Sequence, residues 1–235
     1  MICKLCSEQS LLVKVSHVIP QWMYGLLPNC ARNFKIVSPV EGEYKKRSQS
    51  GFYDSFVCKN CEDRFGLWDD SAAKVLRTRP VVTEDGIDFG QYEYGLLARF
   101  YLSVLWRMHA SDGLMVSIDL GEDAEPLRQD LRNLDDSILN RYEIIPSWSN
   151  HVLSLGIAEP KLFAVDGAIY WKIYMPRFQA LLNISGNPGS SRLAPWIMRA
   201  GNPLLMLEDT FEFGEAQIVL RALQANMERK NARRR

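Results

Sequence analysis

The chain has 235 residues, 47% of them hydrophobic and 24% charged, enough apolar material for one large domain or two small ones, and this composition excludes a disordered protein. Lysine plus arginine and aspartate plus glutamate both number 28, so no global field draws the chain to nucleic acid. The most apolar stretch, Gly95 to Met108, is interrupted by Arg99 and Arg107, and the first cysteine at position 3 leaves no room for a leader, so no membrane partner and a cytoplasmic location are expected.

Charge is unevenly distributed. Residues 1–61 carry eight Lys/Arg against four acids, whereas residues 111–150 carry three Arg against nine acids. The basic side belongs to the N-terminal segment, which opens on Cys3-Lys4-Leu5-Cys6. A second Cys-x-x-Cys follows at Cys58-Lys59-Asn60-Cys61, with 51 residues between the two pairs. Each such knuckle places two soft ligands on one tight turn, so Cys3, Cys6, Cys58 and Cys61 read as a tetrahedral zinc site, with two disulfides or a redox pair as the alternatives. The fifth cysteine, Cys30, breaks the knuckle spacing and reads as a small packed residue.

After the first knuckle, Leu11 to Val15 is a β-prone run leading into Ser16-His17, and Pro20 ends any ladder. Residues 28–51, with Lys45, Lys46 and Arg47, read as an exposed loop. Phe52 to Val57 forms a second strand running into Cys58. From Cys61, Phe65, Trp68, Ala72, Val75 and Leu76 recur at helical spacing until Pro80. Knuckle, hairpin, loop, knuckle, helix is a treble-clef order.

Gln91 to His109 is apolar around most of a helix circumference and reads as a central core helix. Leu114 to Leu120 alternates as a strand, and Glu125 to Leu139 reads as a helix with residues 127, 131, 134 and 138 on one face. Residues 161–165, the dipeptide Asp166-Gly167 and residues 168–175 form a hairpin with a type I′ turn. A last amphipathic helix starts near Glu215 and ends in Arg233-Arg234-Arg235. The expected fold is α+β: a zinc-bound treble-clef finger over residues 1–80, followed by a mixed α+β domain over residues 90–235 that offers a surface for a protein partner.

The order of Cys-x-x-Cys, a strand ending in Ser16-His17-Val18-Ile19-Pro20, and Cys-x-x-Cys opening a helix resembles the HNH, or ββα-metal finger, endonuclease superfamily in its zinc-bearing form. Together with Glu62 after the last cysteine and the later Leu105-Trp106-Arg107, it is similar to a group of poorly characterised bacterial proteins. The superfamily resemblance covers about residues 1–75, and the closer one extends loosely to about residue 135. It implies that His17 is the general base taking a proton from the water that attacks a phosphodiester, a role suited to a neutral imidazole. The chain departs from the superfamily at two positions, having Ser16 where Asp or His holds the catalytic cation and Glu62 where a His is frequent. A hard cation, Mg²⁺ or Mn²⁺, would then fall to carboxylates, with Glu62 and Asp69 on one helix face and Asp54 on the facing strand. The implied function is a metal-dependent endonuclease acting on nucleic acid, DNA by expectation, of the kind used in phage defence, mobile elements and toxin systems. Lys45, Lys46, Arg47, Lys59 and Arg64 would contact phosphates.

Each residue also has an ordinary reading. Glu62 suits the positive end of a helix, Asp69 a solvated face, Ser16 a cap and His17 a packed side chain. Arg107, deep in an apolar helix, calls for a buried carboxylate or a phosphate. A non-catalytic zinc module binding nucleic acid or protein therefore stands beside the nuclease. A catalytic zinc is disfavoured, because four thiolates leave no open coordination position.

Overall fold

The second cysteine pair opens a long helix, and that helix organises the N-terminal third of the computed structural model, which describes residues 1–26, 51–112, 118–149, 158–187 and 189–208. Strand β1 (Ser16–His17) pairs antiparallel with β2 (Tyr53–Asp54), with Ser16 opposite Asp54 and His17 opposite Tyr53. The expected longer strands over 11–15 and 52–57 shrink to this two-residue ladder, extended by single bonds such as Val13 N–H to Val57 O (2.9 Å) and Val18 N–H to Phe52 O (2.9 Å). Pro20 does end the ladder, and it caps a one-turn helix α1 (Gln21–Tyr24). Tyr24 closes over the ladder: its hydroxyl accepts from Phe52 N–H at 2.7 Å. Gly51 is required there, since its φ is +83° and a Cβ would come within 2.4 Å of the Tyr24 ring.

Helix α2 (Lys59–Leu76) starts at the second knuckle with Cys58 as its N-cap and buries Cys61, Phe65, Trp68, Ala72 and Leu76, the stripe that its periodicity requires. A hairpin of β3 (Val81–Thr83) and β4 (Gly86–Asp88) follows. Helix α3 (Tyr94–Ala110) buries every residue from Leu97 to Met108, as expected of an all-round apolar helix. Both of its arginines are buried and paired: Arg99 with the exposed Asp136, and Arg107 with the largely buried Asp69. Trp106 packs on Phe56 and Phe65, so α3 is the floor of the N-terminal segment as well as the centre of the molecule.

The expected helix over 125–139 is shorter. Helix α4 (Ala124–Arg132) ends where Asn133 turns extended (ψ 139°), and residues 136–141 re-form as a 3₁₀ segment. Leu134, expected on the buried face, is consequently 76% exposed. Residues 118–120 carry no strand, and the remainder of that expected strand lies outside the described residues.

The remaining strands are β5 (Glu143–Trp148), β6 (Ala158–Val165), β7 (Ala168–Tyr174), β8 (Phe178–Asn183) and β9 (Leu205–Glu208). They join the β3–β4 hairpin in one seven-stranded sheet of order β3-β4-β9-β5-β8-β7-β6. Every pairing is antiparallel except β5 with β9. The β6–β7 turn is the expected one: Asp166 and Gly167 have φ of +50° and +84°, the signature of type I′. Pro146 is tolerated inside β5 because the ladder with β9 begins only at Ser147. One contiguous apolar cluster runs from Cys3 through α3 to Met206, so the segments assigned to 1–80 and 90–235 share a core. The fold is thus mixed α+β with one large sheet and a cysteine cluster. The loop over 28–50, including Cys30, and the helix from Glu215 lie outside the described residues.

Candidate metal centre and its surroundings

The first knuckle is a tight turn in which Ser7 N–H donates to Cys3 O (2.8 Å) and Cys3 N–H to Glu8 O (3.0 Å). It is tied to the second by Lys4 N–H donating to Phe56 O at 2.9 Å, two residues before Cys58. All four sulfurs of Cys3, Cys6, Cys58 and Cys61 consequently lie within 4.8 Å of one another. None is disulfide-bonded, and the Sγ atoms of Cys6 and Cys58 are 3.8 Å apart. A zinc ion bound tetrahedrally at about 2.3 Å gives sulfur–sulfur edges of about 3.8 Å, so the site can hold a metal ion such as zinc.

The electrostatics fit a cation. Burial pushes the Cys6 and Cys61 thiols up; Cys3 and Cys58 raise both further, while a hydrogen bond from the backbone at Glu8 partly offsets the rise at Cys6. Burial acts in the same direction on Cys3, but hydrogen bonds from the backbone at Cys6, Cys58 and Leu5 outweigh it and bring that thiol down to about 7. One of these is visible as Cys58 N–H donating to Cys3 Sγ at 3.3 Å. Crowded sulfurs resist carrying several negative charges unless a cation neutralises them. A second tie comes from α4, where Arg128, held by Glu125, donates from Nη1 to the Leu5 carbonyl inside the first knuckle at 2.5 Å.

The ladder and α2 position the other candidates. Ser16 is fully buried and its hydroxyl donates to Glu62 Oε2 at 2.5 Å. Consecutive strand residues project to opposite faces, so His17 points away from that bond, its ring 6.3 Å from the cross-strand Tyr53 ring. The His17 carbonyl accepts from Arg107 Nη1 at 3.4 Å, while its ring atom Nε2 is buried without a hydrogen-bond partner among the described residues.

Arg107 in turn grips Asp69 with both arms, Nη1 to Oδ2 at 3.0 Å and Nη2 to Oδ1 at 2.7 Å, and lies 4.3 Å over the Phe65 ring. Burial pushes the Asp69 carboxyl up; Arg107 pulls it down, and His17 adds a smaller pull in the same direction. The structure therefore joins Ser16 with Glu62, and His17 with Arg107 and Asp69. It does not assemble the three expected carboxylates. Asp69 is occupied by Arg107, and Asp54 accepts backbone N–H groups from Ser55 (2.7 Å) and Asp112 (2.8 Å). Among the described residues, the four cysteines are the only cluster of three or more metal-ligand side chains.

Of the expected phosphate contacts, Lys59 is engaged with Asp63 one turn along α2, and Arg64 donates to the Arg132 carbonyl at 3.4 Å. Lys45, Lys46 and Arg47 lie outside the described residues. The sequence reading missed the part of α4 in the metal centre: the Glu125/Arg128 spacing signals a helix-surface pair, and nothing in it points to Leu5. No helix among the described residues is long and apolar enough to cross a membrane. No family model matches the chain, and no curated protein or solved structure is detectably similar to it.

Proposed function

We propose that this chain is a zinc-organised endonuclease of the HNH kind, its finger a treble clef in which the four thiolates clamp β1 to the start of α2. The observation that carries the reading is His17. A buried imidazole nitrogen without a hydrogen-bond partner among the described residues calls for an explanation, and a base that meets its proton only when substrate water arrives provides one. In the proposed step His17 takes the proton of the attacking water, the new P–O bond forms, and the leaving oxygen departs on the opposite side. Glu62, half-buried with one oxygen held by Ser16, is the expected carboxylate left to a hard cation. It lies across the ladder from the His17 ring, so the two act on one phosphate only where the substrate wraps the end of that two-residue ladder, and there the cation would offset the charge developing on the phosphate. Such a cation needs only one or two carboxylates besides phosphate and water.

A second reading has its own support. With Asp54 and Asp69 both committed to structural bonds, a zinc module that binds nucleic acid or protein without cleaving accounts for the same framework. A plasmid-nicking assay with Mg²⁺ or Mn²⁺ separates the two. The nuclease reading expects cleavage by the zinc-loaded wild type, its loss in His17→Ala with zinc retained, and a higher divalent-ion requirement in Glu62→Gln. Wild-type protein that binds DNA and never nicks it leaves the module.

A further inference from the structure

Beside the cysteines lies an open cleft of about 400 Å³, with Cys6, Cys58 and Cys61 on its floor. One wall is the first turns of α2 with Asn60 and Arg64, and the other is the end of α4 with Gln129, Arg132 and Asn133. Asn60 and Arg64 are four residues apart on one stripe, and Glu62 and Asp69 stand about 140–180° around the helix from them. The cleft is therefore separate from the His17 side of the finger.

Its lining has a specific chemistry. Arg128 nearby is satisfied by Glu125, whereas Arg64 and Arg132 make no ion pair among the described residues. Arg64 reaches across to the Arg132 carbonyl at 3.4 Å, tying α2 to the end of α4, and both arginines line the same cleft. Zinc on four thiolates carries a net charge of about −2, so an anion enters only because these two arginines offset it. Asn60 adds a carboxamide with a donor and an acceptor side by side, of the kind that reads a base edge, while Gln129 is held through Nε2 by Glu125 (2.9 Å) and Asn133 Oδ1 accepts from Asp135 N–H (3.0 Å). Glu8 at the rim offers acceptors to sugar hydroxyls. The volume lies within the range of small-ligand sites, about 300–1,000 Å³.

We propose that this cleft binds a nucleoside phosphate unit, with Arg64 and Arg132 on the phosphate and the Asn60 carboxamide on the base. The unit is either a free mononucleotide or the end nucleotide of a single strand. The proposal goes beyond the nuclease reading and does not require His17 to be a base.

The test is calorimetric titration of the full-length, zinc-loaded chain with AMP, with inorganic phosphate, and with a short 5′-phosphorylated single-stranded oligonucleotide. AMP or the oligonucleotide should bind more tightly than phosphate alone. Arg64→Gln combined with Arg132→Gln should weaken binding by about tenfold or more, because each charge-assisted bond lost is worth roughly that factor. AMP binding that the oligonucleotide does not compete for identifies a free nucleotide; oligonucleotide binding without AMP binding identifies a strand end. Arg132 is exposed and outside the knuckles, so Arg132→Glu serves if the double variant loses zinc. Absence of binding by both ligands at millimolar concentration, or wild-type affinity in Arg132→Glu with zinc retained, overturns the site. Failure of wild-type protein to nick DNA bears only on the nuclease reading.

Discussion

The cysteine-bearing segment and the seven-stranded sheet solve the same problem with different means. The sheet closes by repetition: β5 and β8 pair over six consecutive residues, and buried side chains such as Ile145, Ala180 and Leu182 follow from that register. The N-terminal segment has one two-residue ladder and scattered single backbone bonds. Its apolar side chains, Leu5, Val18, Ile19, Phe56 and Val57, come mostly from irregular chain. A region with so little ladder is poorly placed to fix its own geometry, and a cation held by the four sulfurs would supply the missing constraint. What the contrast teaches is that a metal can stand in for hydrogen-bond cooperativity, provided another element supplies the floor, which here is α3.

Removing the metal tests that contrast most severely. Chelation or Cys58→Ser should abolish the bound metal, expected at one zinc per chain, and amide exchange should accelerate first in residues 1–26 and 51–76, then in α3, with β5–β8 the last to open. Simultaneous loss of protection everywhere would erase the distinction between the two regions. Acid should act in the same direction. The Cys6 and Cys61 thiols are raised and therefore hold protons that the metal must displace. Lowering pH favours the protonated thiols, so zinc affinity should fall as pH falls, by up to about tenfold per pH unit for each proton displaced. A competition titration between pH 8 and 6 reads this slope, and a flat profile would mean that the thiols are already ionised.

Arg107→Leu comes next, because it leaves Asp69 buried without its partner and removes a bond to the His17 carbonyl. Loss of about 3–5 kcal/mol in denaturant unfolding is expected. Leu182→Ala, in the middle of β8, should cost about 2–5 kcal/mol while zinc content stays unchanged. Gly167→Ala should be mildest, roughly 1 kcal/mol, since it opposes only a positive φ at an open turn.

Features fixed by local chemistry were legible in the sequence. The two Cys-x-x-Cys pairs come together as their spacing implied, Asp166-Gly167 makes its turn, and the apolar stripe from Phe65 to Leu76 lies on one helix. Arg107 found a carboxylate, but that this would be Asp69, 38 positions away, depends on how α2 crosses α3. Strands β5, β8 and β9 were not anticipated. Residues 178–183 are buried almost throughout and so show no alternation, and β5 carries a proline that argues against a strand until its neighbours are known. The second carboxylate group failed for a related reason: helix periodicity placed Glu62 and Asp69 on one face, but it could not show that Arg107 already occupied Asp69.

The reach of the Arg107 fork sets a timetable. It joins the carbonyl of His17 to a side chain made 90 residues later. At a synthesis rate of about 5–20 residues per second, His17 waits on the order of 5–20 s for that anchor. The thiol of Cys6 waits through 52 residues for Cys58, on the order of 3–10 s at the same rate. During that interval the first knuckle is a bare dithiol, open to stray metal or oxidant, so the yield of correctly loaded protein should depend on zinc supply during synthesis more than on zinc added afterwards.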